Sequence, residues 1–136
     1  MKIAIEAQRI FRPSKHGMDF VALETIRELQ KRNDGNQYFV IVAPGEDRCL
    51  EESSNLSIIE LKCPTYPLWE QIALPRAVKR LGVDLLHCTS NTAPLHCSIP
   101  LVLTLHDIIY LEPRQHRSPS LYQEMGWHYR RLNALL

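Results

Sequence analysis

The 136-residue sequence has no apolar run approaching the roughly 18 residues that a membrane-spanning helix needs. Its N-terminus, "MKIAIEAQ", alternates like a strand and lacks the long apolar segment of a secretory signal. Charge of neither sign is in excess: 16 Lys and Arg are interleaved with 15 Asp and Glu, for a net charge of +1. That balance gives no electrostatic basis for binding nucleic acid or an anionic membrane. A cytoplasmic location is the expectation, with peripheral membrane contact left open. Glycine is scarce at 5 residues, and no G-x-G-x-x-G dinucleotide fingerprint occurs. The four cysteines, Cys49, Cys63, Cys88 and Cys97, make no C-x-x-C pair. His87-Cys88 does recur as His96-Cys97, but neighbours on a strand point to opposite faces and cannot readily share a metal. No metal is expected, and the cysteines read as small reduced hydrophobes.

What is there is the pattern of one globular α/β unit spanning residues 1–136, with 45% hydrophobic and 23% charged residues. Strands are expected at Lys2–Ala7, Gln37–Ala43, Leu56–Leu61, Val83–Cys88 and Leu101–His106, as short apolar stretches bounded by turn residues. Met18, Ala22, Ile26 and Leu29 fall at helical spacing, and Gly35 offers a C-cap. "EDRCLEESSN" reads as a surface connection with room for one helical turn. In "LWEQIALPRAVKRLG", Pro75 disfavours helical geometry at Leu74, so a short turn followed by a helix closed by Gly82 is expected. A last helix opens at Ser118-Pro119. Strands alternating with helices imply a Rossmann-like parallel sheet with helices on both faces. The chain stops on "YRRLNALL", mid-helix in character, which suggests a piece of a longer protein.

Open parallel sheets bind ligands beyond the carboxyl ends of their strands, where strand order reverses. With strand one beside strand four, three loops meet there: Arg12–Gly17, Thr89–Pro94 and the end of strand five at His106-Asp107. Gly17 stands at a helix start beside Lys15 and His16, where free N–H groups attract anions; it equally serves as a plain tight-turn residue. For His106 and Asp107 three readings stand: a rim histidine beside a turn aspartate, an adjacent His-Asp metal pair, or a pair contacting substrate. The metal pair would need further ligands that the sequence does not offer.

"HGMDFVALETIRELQK" after a first strand, then "LWEQIALPRAVKRLGVDLLHCTSNTAPL", "IPLVLTLHDIIYLEP" and "YRRLN", together resemble the N-terminal domain of a group-1 family retaining glycosyltransferase of GT-B architecture. The resemblance implies a two-domain enzyme that transfers a sugar from a nucleotide-sugar donor to a glycan, lipid or other small acceptor, with retained configuration and without a metal or other cofactor. Residues 1–136 would be the incomplete acceptor-side domain, inactive alone, with the C-terminal domain as its intramolecular partner. It also implies substrate-binding roles for Lys15, His16, Gly17, Ser90, Asn91, Thr92 and Asp107, and places His106 where the family's histidine approaches the transferred sugar. The sequence departs from the pattern in carrying only Gly17 where two or more glycines are usual. A non-catalytic α/β ligand-binding domain and a nucleotide-sugar isomerase of the same architecture are the alternative readings.

Overall fold

A computed structural model of the chain describes residues 1–106, 128–130, 132 and 133. Five strands, β1 Lys2–Glu6, β2 Gln37–Val42, β3 Leu56–Glu60, β4 Leu85–Cys88 and β5 Leu101–Leu103, form one parallel sheet in the order β3-β2-β1-β4-β5. Strand one does lie against strand four, with Ile3 opposite Leu85 and Glu6 opposite Cys88. The order reverses between these two strands, which puts the switch point of the fold there.

The pleat sorts the strand residues onto two faces. Ile5, Val40 and Val42 pack with Ala22, Leu23 and Ile26 of α1, Gly17–Lys31. Ala4, Ile41 and Leu86 pack on the other face with Trp69, Leu74 and Val78. The sheet is thus covered on both sides, as continuous apolar strands require. Residues 128–130, 132 and 133 are helical; the rest of the expected last helix lies outside the described residues.

Three local expectations need correction. Residues 66–81 form one uninterrupted helical run: α2 Tyr66–Leu68, a π-helical turn Trp69–Ala73, and α3 Leu74–Leu81. Leu74 is helical at φ −64°, ψ −50° despite the proline that follows it. The widened π turn just before Pro75 accommodates the ring that would crowd a regular turn. Gly82 closes the run in the left-handed region at φ +66°, as expected. Gly35 does not cap α1. The cap is the extended Arg32, and Gly35, at φ +78°, serves a separate turn in which the Asp34 side chain accepts the Asn36 N–H at 3.0 Å. The connection 46–55 has no helical turn; buried Leu50 and the Cys49 carbonyl, held by Arg27 at 2.9 Å, anchor it instead.

The loop after β1 is held by the loop after β2. The Asp47 N–H donates to the Phe11 carbonyl at 2.9 Å, and a Cβ on Gly45 would collide with that same carbonyl. Gly45→Ala should therefore cost about 1–3 kcal/mol by overpacking against rigid backbone. Gly17 contrasts with it: its φ is not positive and a Cβ there meets nothing within 4 Å. Gly17→Ala should change stability by less than about 1 kcal/mol. Urea midpoints of the two variants check the pair. Equal losses would show that crowding at Phe11 is not what fixes Gly45.

Candidate functional site at the sheet switch point

The carboxyl ends of β1, β4 and β5 are stitched into one rim. The Thr89 hydroxyl donates to the Glu6 carbonyl at 2.8 Å. The Thr104 N–H donates to the Cys88 carbonyl at 2.9 Å, and the Asn91 N–H returns to the Thr104 carbonyl at 3.1 Å. Asn91 takes a left-handed backbone, φ 68°, which asparagine tolerates better than most residues. This turns its side chain back along the chain, so that Oδ1 accepts the His106 N–H at 2.6 Å.

His106 does not end strand five. β5 stops at Leu103, and His106 lies three residues beyond, where Asn91 captures the backbone. Its Nε2 lies 2.8 Å from the Thr89 carbonyl. A carbonyl only accepts, so Nε2 carries the hydrogen and the ring is oriented, leaving Nδ1 as the nitrogen with an open lone pair in the neutral form. The side chain is exposed. Asp107 lies outside the described residues.

The first loop approaches the same end of β1. His16 is the N-cap of α1, and Gly17 is the first helical residue, both exposed. The helix start already holds a negative group of its own: the Asp19 carboxyl accepts the His16 N–H at 2.9 Å and is buried, with the Arg9 guanidinium 3.5 Å away. The Lys15 ammonium is paired with Asp47 and donates to the Arg12 carbonyl at 3.1 Å. Ser90 is half-buried, while Asn91 and Thr92 are buried, and the Thr92 hydroxyl points inward. Lys15 thus stands apart from the group formed by Thr89, Asn91 and His106, and its charge is already engaged.

Beneath the rim lies an arrangement the sequence reading missed. Glu70, fully buried in the π turn, receives the hydroxyls of Tyr66 at 2.8 Å, Thr92 at 2.6 Å and Tyr129 at 2.5 Å. Glu6 ends β1, fully buried beside it; Oε2 accepts the Gln8 N–H at 2.8 Å, while Oε1 has no hydrogen-bond partner among the described residues. Burial, reinforced by the nearby Glu70 charge and opposed by the Gln8 N–H, pushes the Glu6 carboxyl up to about 7. Burial and the two acids also raise Tyr66, Tyr129 and the Cys88 thiol, so all three keep their protons. His87 is moved the other way by burial, and its Nε2 lies 2.7 Å from the Thr104 hydroxyl. One signal of Glu70 was present in the sequence: it stands four residues before Leu74 and eight before Val78, on the apolar face of the helix.

An open, polar hollow of about 490 Å³ lies between the end of α1 and Ser53–Asn55. It sits at the amino ends of β2 and β3, away from the rim. Among the described residues, no group of three or more His, Cys, Asp or Glu could hold a metal ion. Among the same residues, no helix is long and apolar enough to cross a membrane.

The parallel sheet agrees with a family comparison: the model of Glycosyltransferase Family 4 matches residues 16–135. The chain belongs to Glycosyltransferase Family 4. Its Rossmann-like sheet is consistent with the N-terminal half of a GT-B glycosyltransferase. The matched stretch of this family domain takes in His16, Gly17, the loop after β4 and His106, and begins just past Lys15. A search among curated proteins found no match.

Proposed function

We propose that this domain is the acceptor-side part of an enzyme that moves a sugar from a nucleotide-sugar donor to an acceptor hydroxyl with retained configuration. The donor's anomeric carbon–oxygen bond breaks, the acceptor oxygen takes its place on that carbon, and the nucleotide diphosphate leaves with the proton that the acceptor hydroxyl gives up. The observation that carries the reading is the presentation of His106: its backbone and its Nε2 are both tied to the loop after β4, and its ring is exposed at the switch point. A ring held this way meets a sugar hydroxyl or phosphate oxygen without first losing side-chain freedom. Gly17 supports the reading only by leaving open space at the first turn of α1, where the Asp19 carboxyl already caps the helix start. Ser90, half-buried on the neighbouring loop, is assigned to the same substrate, and Asp107 to the loop that follows His106.

The test is a panel of nucleotide-sugar donors offered to the full-length protein with candidate glycan and lipid acceptors, scored by release of nucleotide diphosphate. On the donor that turns over, His106→Ala should lower kcat by about 10–100-fold with a smaller change in donor KM, the pattern of a contact strongest in the transition state. Unchanged kcat in a folded variant would remove His106 from the chemistry. Ligand binding without turnover of any donor would indicate a binding domain, and conversion of the donor without an acceptor would indicate an isomerase.

A further inference from the structure

The loop that holds His106 is itself held from below. The π turn presents two consecutive side chains to it. Glu70 receives the Thr92 hydroxyl, and Gln71 spans the next residues, donating to the Ala93 carbonyl at 3.0 Å and accepting the Leu95 N–H at 2.8 Å. Asn133 completes the clamp on Ala93, accepting its N–H at 3.2 Å and donating to its carbonyl at 3.0 Å. Thr92 directly follows the left-handed Asn91, whose Oδ1 fixes the His106 backbone. Within the π turn Trp69 and Glu70 are both buried, at 1% and 0% exposure, so the acid is held under the sheet beside the indole.

We propose that Glu70 and Thr92 are positioning residues for His106, acting through the 2.6 Å hydrogen bond that fixes the Asn91 turn from beneath. The proposal rests on the assignment of His106 to the reaction. Neither group touches substrate: both are buried, at 0% and 1% exposure. The Thr92 hydroxyl shares Glu70 Oε2 with the Tyr66 hydroxyl, and rotating Thr92 would take its buried O–H away from that acceptor. The turn at Asn91 is then anchored on both sides, by Thr89 on the Glu6 carbonyl and by Thr92 on Glu70. A displacement of about 1 Å at this turn would carry His106 with it, enough to cost a large factor in rate.

The experiment uses the full-length enzyme. Thr92→Val keeps the side-chain shape and removes the hydroxyl; Thr92→Ser keeps the hydroxyl; each is made in the wild type and in His106→Ala, with Glu70→Gln as a second route to the same bond. Nitrogen-15 signals of the His106 ring report its Nε2–H bond independently of turnover. In the wild-type background Thr92→Val should lower kcat by about tenfold or more with little change in donor KM, and Thr92→Ser should restore most of it. In the His106→Ala background the same change should have no further effect, because coupled sites are non-additive. Equal losses in both backgrounds, or no loss in either, would overturn the proposal while leaving the role of His106 intact. If His106→Ala is itself without effect, the functional assignment fails, and the ring signals decide alone. A shifted Nε2–H resonance in Thr92→Val and Glu70→Gln would uphold the positioning, and an unmoved one would overturn it.

Discussion

Replacing Glu6 by Gln should make the chain progressively more stable than the wild type as pH rises, with the difference growing by about 3 kcal/mol between pH ~4 and pH ~8. The wild-type carboxyl is fully buried, and its pKa in the fold is raised from 4.5 to about 7. The folded state therefore holds the Glu6 proton more tightly than the unfolded chain does. Its favourable contribution is complete below the unfolded value of 4.5 and is lost as pH climbs through about 7. Glutamine carries no charge and loses nothing over that window. Its amide nitrogen would take the place of the unpartnered Oε1, or its oxygen would, and either choice adds a constant cost that does not vary with pH. The slope of the difference is thus the diagnostic quantity. Urea denaturation of both proteins across the pH series measures it, and a flat difference would show that Glu6 finds a compensating positive partner or a route to water.

Trp69→Ala should be the most damaging single truncation in this region, costing about 3–5 kcal/mol. The indole is 1% exposed and packs with Ala4, Ile41, Leu74, Val78 and Leu86 under the sheet. Its Nε1–H donates to the Leu61 carbonyl at 2.9 Å, tying the exit of β3 to the π turn that carries Glu70. Trp69→Phe keeps most of the packing and leaves that carbonyl without its donor, so it should cost about 1–3 kcal/mol. Denaturant midpoints at constant m-value give both numbers. A loss below about 1 kcal/mol for Trp69→Ala would mean that the face under β1, β2 and β4 closes over the cavity.

The strands show how far local pattern reaches. "KIAIEA", "QYFVIVA" and "LSIIEL" are apolar, β-branched and interrupted by turn residues, and each forms its strand within a residue of where the pattern ends. The switch point between β1 and β4 followed from that order, because parallel connections are short and right-handed. Strands four and five depart further: the fourth, expected from Val83, begins at Leu85, and "LVLTLH" reads apolar through Leu105, yet the ladder ends at Leu103. Asn91, ten residues earlier in sequence than Leu101, ends it by taking the His106 N–H. Hydropathy carries no information about a capture of that kind.

By itself the sequence determined the parallel sheet with helices on both faces and the left-handed stop at Gly82, because the elements and that stop depend on residues near one another in the chain. Only the tertiary structure decided which acids are buried. Glu6 ends an apolar strand just as His106 was expected to, and nothing local distinguishes a rim carboxyl from one that the loops cover. Glu70 is satisfied by hydroxyls 4, 22 and 59 residues away, so whether it is exposed surface or the keystone of a loop depends on parts of the chain that meet only after folding. The physical reason is the steep cost of burying a carboxyl without donors: such a site exists only where separate elements supply them together, and no single stretch of sequence holds that information.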